Sequence, residues 1–167
     1  MKHLLSLVIL ASLSGCTNTR EPVIQIRTEI VIDAPPSEVF AVLADFEQYP
    51  NWNPYHRSVL GEFVEGAPLQ IHIVRPDGEE VDVPPHMRTI APDREITWGG
   101  GVKGVFYGEH RFLLEPHSAG GTHLQHDEDF WGLAVRFSNI SEAVLTQGYE
   151  GMNQALKSHV ETLRQQP

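Results

Sequence analysis

Three residues of the chain have the types and spacing that could do chemistry: His110 on one stretch, and His126 and Glu128 on another. They fall within residues 108–131, GEHRFLLEPHSAGGTHLQHDEDFW, which alternate in polarity on both sides of a break at residues 116–121. Phe106, His110, Phe112 and Leu114 share one parity, as do Leu124, His126, Glu128 and Phe130, and the intervening positions are mostly charged or polar. A period of two puts each set on one face of a strand. The short connection makes the strands antiparallel, so His110 comes close to His126 or Glu128 on the inward face in either register. A histidine held by a carboxylate can move a proton near neutral pH. The same groups can instead satisfy one another as a buried hydrogen-bonded cluster, or orient the polar end of a ligand. The structural cluster is the first expectation, ligand orientation the second and catalysis the third.

Other chemistries find less support. Two histidines and a carboxylate could hold iron or zinc. The spacing His126-Asp127-Glu128 matches the H-x-E of zinc deaminases, but no Pro-Cys-x-x-Cys follows. No Gly-x-Ser-x-Gly occurs, and the glycine-rich run 99–104 lacks the Gly-Lys-Ser/Thr ending of a phosphate loop. No metal or cofactor is expected, and the glycine run reads as a mobile loop forming a flexible lip. Around the polar trio, Trp52, Tyr55, Trp98 and Phe106 could line an apolar pocket. Phe130, Tyr149 and Met152 complete that set, with Trp131 beside them. A few polar groups in an apolar lining is what small-molecule sites look like.

The elements that must position these residues follow from pattern. Residues 23–33 alternate as a first strand, which Ala34-Pro35-Pro36 stops. Residues 37–44 read as a helix with proline in its first turn, and 45–49 as a second short helix ended by Pro50. Strands are expected at 57–63, 69–74, 81–90 and 94–98, with Pro84 and Pro85 marking a bulge or sheet edge. Residues 132–138 are ambiguous. A long helix over 140–164 is expected to start at Asn139 as N-cap, with Glu142 completing a capping box. Its apolar stripe is Leu145, Tyr149, Met152, Leu156, Val160 and Leu163. Val144, Gly148, Gly151 and Ala155 form a row of small residues, suited to close packing or to leaving room for a ligand.

At 167 residues, 41% hydrophobic and 20% charged, the chain has the composition of one globular domain. Its formal charge of −10 and unclustered basic residues make nucleic acid and anionic membrane surfaces unexpected partners. Residues 1–16, with Lys2, an apolar run and a small-residue ending, have the pattern of a secretory signal. Leu13-Ser14-Gly15-Cys16 resembles the lipobox of bacterial lipoproteins, in which the cysteine is acylated. Cys16 is the only cysteine, so it has no disulfide partner. The expected organisation is a signal at 1–16, a tether at 17–22 and one domain at 23–165. Cleavage before Cys16 removes Lys2 and takes the charge from −10 to −11. Thr17 stands where inner-membrane retention signals place Asp, and that resemblance implies a lipid anchor in the outer membrane facing the periplasm.

The motifs Ile32-Asp-Ala-Pro-Pro-Ser-Glu-Val-Phe40, Asp45-Phe-Glu-Gln-Tyr-Pro-Asn-Trp-Asn-Pro54, Gly108-Glu-His-Arg-Phe-Leu-Leu-Glu-Pro116 and Gly-Gly-Thr-His123 carry a further resemblance. They resemble the START-like, helix-grip superfamily, and within it the SRPBCC group of polyketide cyclases, dehydrases and lipid-transport proteins. The resemblance spans residues 23–164. It implies an α+β fold in which a curved antiparallel sheet of about seven strands wraps a long C-terminal helix, with two short helices after the first strand and a cavity between sheet and helix. It implies binding of a small hydrophobic or amphipathic molecule. A cyclase or dehydratase acting through inward His and Glu is one alternative, and an envelope interaction protein with a vestigial cavity is the other.

Overall fold

A computed structural model describes residues 21–165; the signal, the lipobox with Cys16 and most of the tether lie outside the described residues. The first strand, β1 (Ile24–Ile32), buries Ile26, Thr28 and Ile32 and exposes Gln25, Arg27 and Glu29, the alternation its sequence dictates. α1 (Pro36–Ala44) begins on proline, where the missing N–H is no loss. A 3-10 turn at Phe46–Gln48 and a short α2 (Tyr49–Trp52) follow. Pro50 therefore lies within the first turn of α2 instead of ending a helix over 45–49, because a first turn tolerates proline.

Among the described residues eight strands form, in two antiparallel sheets. β2 (His56–Leu60), β3 (Gln70–Val74) and β4 (Glu80–Val83) make one, in the order β2-β3-β4. β5 (His86–Ala91), β6 (Glu95–Val102), β7 (Phe106–Pro116) and β8 (Thr122–Trp131) join β1 in the order β1-β8-β7-β6-β5. The single strand expected over 81–90 is thus two strands in different sheets. Pro84 and Pro85 have no N–H to donate, so the ladder ends there and the chain crosses over. The Leu69 N–H donates to the Pro85 carbonyl at 2.8 Å and the Met87 N–H to that of Ala67 at 3.0 Å, joining the sheets.

Gly99, Gly100 and Gly101 are part of β6 and not a mobile loop. Gly101 has φ +102°, and a Cβ there would collide with the Phe106 carbonyl across the hairpin. Gly100 faces Pro85, with only 3.0 Å left for a Cβ. The glycines thus permit close strand pairing that side chains would block.

The last helix, α3 (Glu142–Arg164), starts later than expected: Ser141 is its N-cap and accepts the Val144 N–H, while Asn139 and Ile140 lie outside. Leu145, Tyr149, Met152, Leu156 and Val160 are buried, but Leu163 is 46% exposed because the stripe outruns its cover near the helix end. Gly148 admits the Tyr55 ring, which a Cβ would strike; Gly151 faces open space. The row of small residues is therefore a one-residue close approach and not a continuous groove. The architecture is α+β, a curved antiparallel sheet system around a long C-terminal helix.

Candidate functional site

A cavity of about 370 Å³ lies between the sheets and the N-terminal half of α3. Both sheets supply its apolar wall: Ile71, Ile73, Val81 and Val83 from one, Trp98 and Phe130 from the other. Leu145 and Tyr149 of α3 and Ile140 complete it. Seven expected residues meet on this wall: Tyr55, Trp98, Phe106, His110, Glu128, Phe130 and Tyr149. Three do not. Trp52 packs edge-on to Tyr49 and stacks on His159, Met152 is fully buried in the core, and His126 is fully buried behind His110. Trp131 lies on an outer groove with Tyr107. His56 and Arg75 also line the cavity and were not anticipated. Arg75 continues the parity of Ile71 and Ile73 one step past β3, the only sign of it in the sequence.

The ladder registers set the polar wall. Trp98 of β6 lies opposite His110 of β7, which lies opposite Glu128 of β8, and Glu128 lies opposite Ile26 of β1. One step along, Phe112 lies opposite His126, which lies opposite Thr28. His110 and His126 are therefore diagonal neighbours across the hairpin, close enough for their rings to meet. The Trp98 and His110 rings stack with centroids 4.8 Å apart, and those of His126 and Tyr149 at 4.4 Å.

A continuous hydrogen-bond chain runs through these groups, and counting its protons assigns it. The Asn153 amide Nδ2 donates to Thr28 Oγ1 at 2.9 Å, and the Thr28 hydroxyl donates to the His126 carbonyl at 2.9 Å. Asn153 Oδ1 thus faces His126 Nδ1 at 2.7 Å and must accept from it. A neutral His126 then has a bare Nε2, which accepts from His110 Nε2 at 3.0 Å. A neutral His110 has a bare Nδ1, which accepts the Tyr149 hydroxyl proton at 3.2 Å. Tyr149 has only one proton, so its short contact with Glu128 Oε2 needs a proton from the carboxyl. These tautomers are assigned from the network. Moving the proton from Glu128 through Tyr149 to His110 gives an ion-pair arrangement with the same number of protons.

Burial decides between the two. It pushes the Glu128 carboxyl from 4.5 up to about 7, against the lowering effect of the Tyr149 hydrogen bond and Arg75. Burial also holds His126 at about 3, despite its bond to Asn153, and drives His110 well below 6.5, helped by His126 and His56. His56 is pushed to about 3, again chiefly by burial. Burial therefore favours the neutral arrangement, with the proton on Glu128, over the ion pair. In either arrangement Glu128 Oε1 is an acceptor only. Tyr55, whose pKa burial and the Glu128 charge raise while Arg75 opposes, lies on the same wall. The cavity thus offers an acceptor at Glu128 and donors at Arg75 and Tyr55. Among the described residues, no group of three His, Cys, Asp or Glu side chains converges as a metal-binding set.

Solved structures share this fold. A START superfamily protein from Mycobacterium smegmatis superposes with a TM-score of 0.64 at 19% identity, covering 83% of this chain and 98% of that one. The protein of unknown function SA2116 from Staphylococcus aureus gives 0.63 at 15%, covering 86% and 98%. The di-domain ARO/CYC StfQ from the steffimycin biosynthetic pathway gives 0.66 at 14%, covering 87% of this chain and 53% of that one. At such identities the likeness speaks for the fold alone. No curated protein matches the chain. Residues 23–161 match the family described as polyketide cyclase / dehydrase and lipid transport, and with that span covered the chain belongs to this family.

Proposed function

We propose that the protein binds a small, mostly apolar molecule with a hydroxyl or similar hydrogen-bonding end. The observation that carries this reading is the cavity of about 370 Å³, within the size range of small-molecule sites, with apolar walls and one polar corner. Glu128, Arg75 and Tyr55 orient the polar end of the ligand. His110 and His126 position Glu128 through Tyr149 and do not themselves act on the ligand. Their rings are buried and paired to protein groups, which speaks against either as the proton-transfer group of an enzyme. Native mass spectrometry of the protein purified from its membrane tests the proposal. An apolar molecule retained in stoichiometric amount supports it; no retained molecule, and no uptake of an added fluorescent apolar probe, defeats it.

A second reading is favoured by one observation: Glu128, a carboxyl whose pKa burial pushes up to about 7, lines the cavity. A cyclase or dehydratase acting on a polyketide-like carbonyl compound would use that carboxyl as its acid. Glu128→Gln separates the readings, because it keeps the shape and hydrogen bonding of the neutral acid and removes its transferable proton. Unchanged turnover of a candidate substrate would sink the enzymatic reading. The envelope-interaction alternative presumes a vestigial cavity, and the volume present supports it poorly.

The same proposal includes a lipid anchor at Cys16 that holds the domain at the outer membrane, facing the periplasm. Its support is the lipobox pattern and the lack of any partner thiol. Cys16→Ser then releases the protein from the membrane fraction, and unchanged fractionation refutes the anchor.

A further inference from the structure

One face of the domain gathers large apolar side chains in solvent. Val102 and Val105 at the β6–β7 tip are 63% and 54% exposed, and Leu133 and Phe137 on the 3-10 turn after β8 are 60% and 84% exposed. The two segments are fixed to each other. The Leu133 N–H donates to the Gly104 carbonyl at 3.3 Å and the Ala134 N–H to that of Val105 at 2.9 Å. Gly132, with φ +115°, makes this approach possible, since a Cβ there would strike the Val105 carbonyl.

The fold also brings together cations that are far apart in sequence. Lys103, whose Nζ lies 5.6 Å from the centre of the Tyr107 ring, and Arg136 line one groove on this face with Leu133 and Trp131. Glu21 and Glu109 border the same groove, so its balance is mixed and not strongly basic.

Two placements indicate what covers this face. First, the described chain starts here: Glu21 and Val23 line the groove, and the Val23 N–H donates to the Phe130 carbonyl at 2.7 Å. Cys16 is five residues before Glu21, and an extended chain of that length spans roughly 17 Å. An acylated Cys16 would keep this end of the domain beside the bilayer. Second, the patch adjoins the cavity wall in sequence on three sides: Gly101 precedes Val102, Phe106 follows Val105, and Ile140 comes three residues after Phe137.

We propose that Val102, Val105, Leu133 and Phe137 form a membrane-docking surface that inserts into a phospholipid bilayer and holds the adjoining end of the cavity against it. Scattered apolar side chains on a rigid tip, with flanking cations and aromatics at headgroup level, suit an interfacial contact. This inference rests partly on the lipid anchor proposed above.

The test uses the full-length lipoprotein reconstituted into vesicles of phosphatidylethanolamine and phosphatidylglycerol with brominated acyl chains. An environment-sensitive fluorophore is placed by Phe137→Cys in one sample and by Leu163→Cys in another. Leu163 is the control: it lies in the last turn of α3 beside Arg164, which bonds the Asp33 carbonyl just past the far end of β1, a strand that spans roughly 26 Å. The docking surface predicts a blue shift and quenching by brominated lipid at position 137, severalfold greater than at 163. Equal, weak quenching at both positions, with the protein still in the vesicle fraction, overturns the docking surface and leaves the anchor standing. A blue shift at 137 without lipid quenching also overturns it, because the patch is then covered by protein, either residues 16–20 or a second copy. Failure to associate with vesicles at all overturns both.

Discussion

His110 lies directly across the β7–β8 ladder from Glu128, yet its ring turns to His126, and the two Nε2 atoms meet at 3.0 Å. Only one of those nitrogens can carry the proton between them. The bond from His126 Nδ1 to Asn153 determines which, and so determines every proton as far as Glu128. A single amide orientation at the back of the core thereby sets the chemistry presented at the cavity wall.

Nitrogen-15 NMR tests that assignment. His110 is expected as the Nε2–H tautomer and His126 as the Nδ1–H tautomer, both neutral at neutral pH. Two rings of the same tautomer would contradict the proton count. Tyr149→Phe removes the shared hydroxyl and leaves His110 Nδ1 and the Glu128 carboxyl without a partner. Urea denaturation should show a loss of about 1–3 kcal/mol.

Glu128→Gln should reveal the buried proton through pH. The carboxyl titrates at about 7 in the folded protein against an ordinary 4.5. Its proton is kept on folding while the unfolded chain has lost its own, so its contribution is full below about pH 4.5 and is lost as pH rises through about 7. The shift corresponds to at most about 3 kcal/mol, reduced where cavity water screens the charge. The variant, uncharged throughout, should gain stability relative to the parent across that window. A difference independent of pH would refute the raised carboxyl.

The buried histidines act in the opposite direction. His56 and His126 fall from 6.5 to about 3 on folding, so their contribution is full above about pH 6.5 and disappears as pH falls toward 3. Acid unfolding should therefore begin below pH 6.5, and His56→Phe should make it shallower. An unchanged acid limb would count against burial as the cause.

Gly148→Ala and Gly151→Ala should separate in sign. The first drives a Cβ into the Tyr55 ring and should cost about 1–3 kcal/mol unless that ring swings into the cavity, where it would block the ligand. The second meets no neighbour and should stabilise α3 by up to about 1 kcal/mol. Chemical denaturation of the pair reads both values.

The hairpin was legible because strand parity is local: His110, Phe112 and Leu114 face inward for the same reason that Arg111 faces out. The cavity wall was less so. Ile73, Val83 and Arg75 reach it from a second sheet, and no local pattern places one sheet over another. Trp52 and Met152 look like pocket residues in sequence because an apolar side chain reads the same whether it meets a cavity or the core. The glycines of β6 read as a loop in sequence because their absent side chains remove the alternation that marks a strand. Both Asn139 and Ser141 are competent caps, and local pattern does not choose between them.

The most direct test of the binding cavity is a titration of the parent protein and an Ile73→Trp variant with a fluorescent apolar alcohol. Ile73 lines the cavity and is only partly buried, so the larger ring can enter the space without displacing the core. Saturable, stoichiometric uptake by the parent, lost in a variant with the same circular dichroism and cooperative unfolding, is the predicted result. Absence of uptake by the parent, or equal uptake by both, would contradict the account.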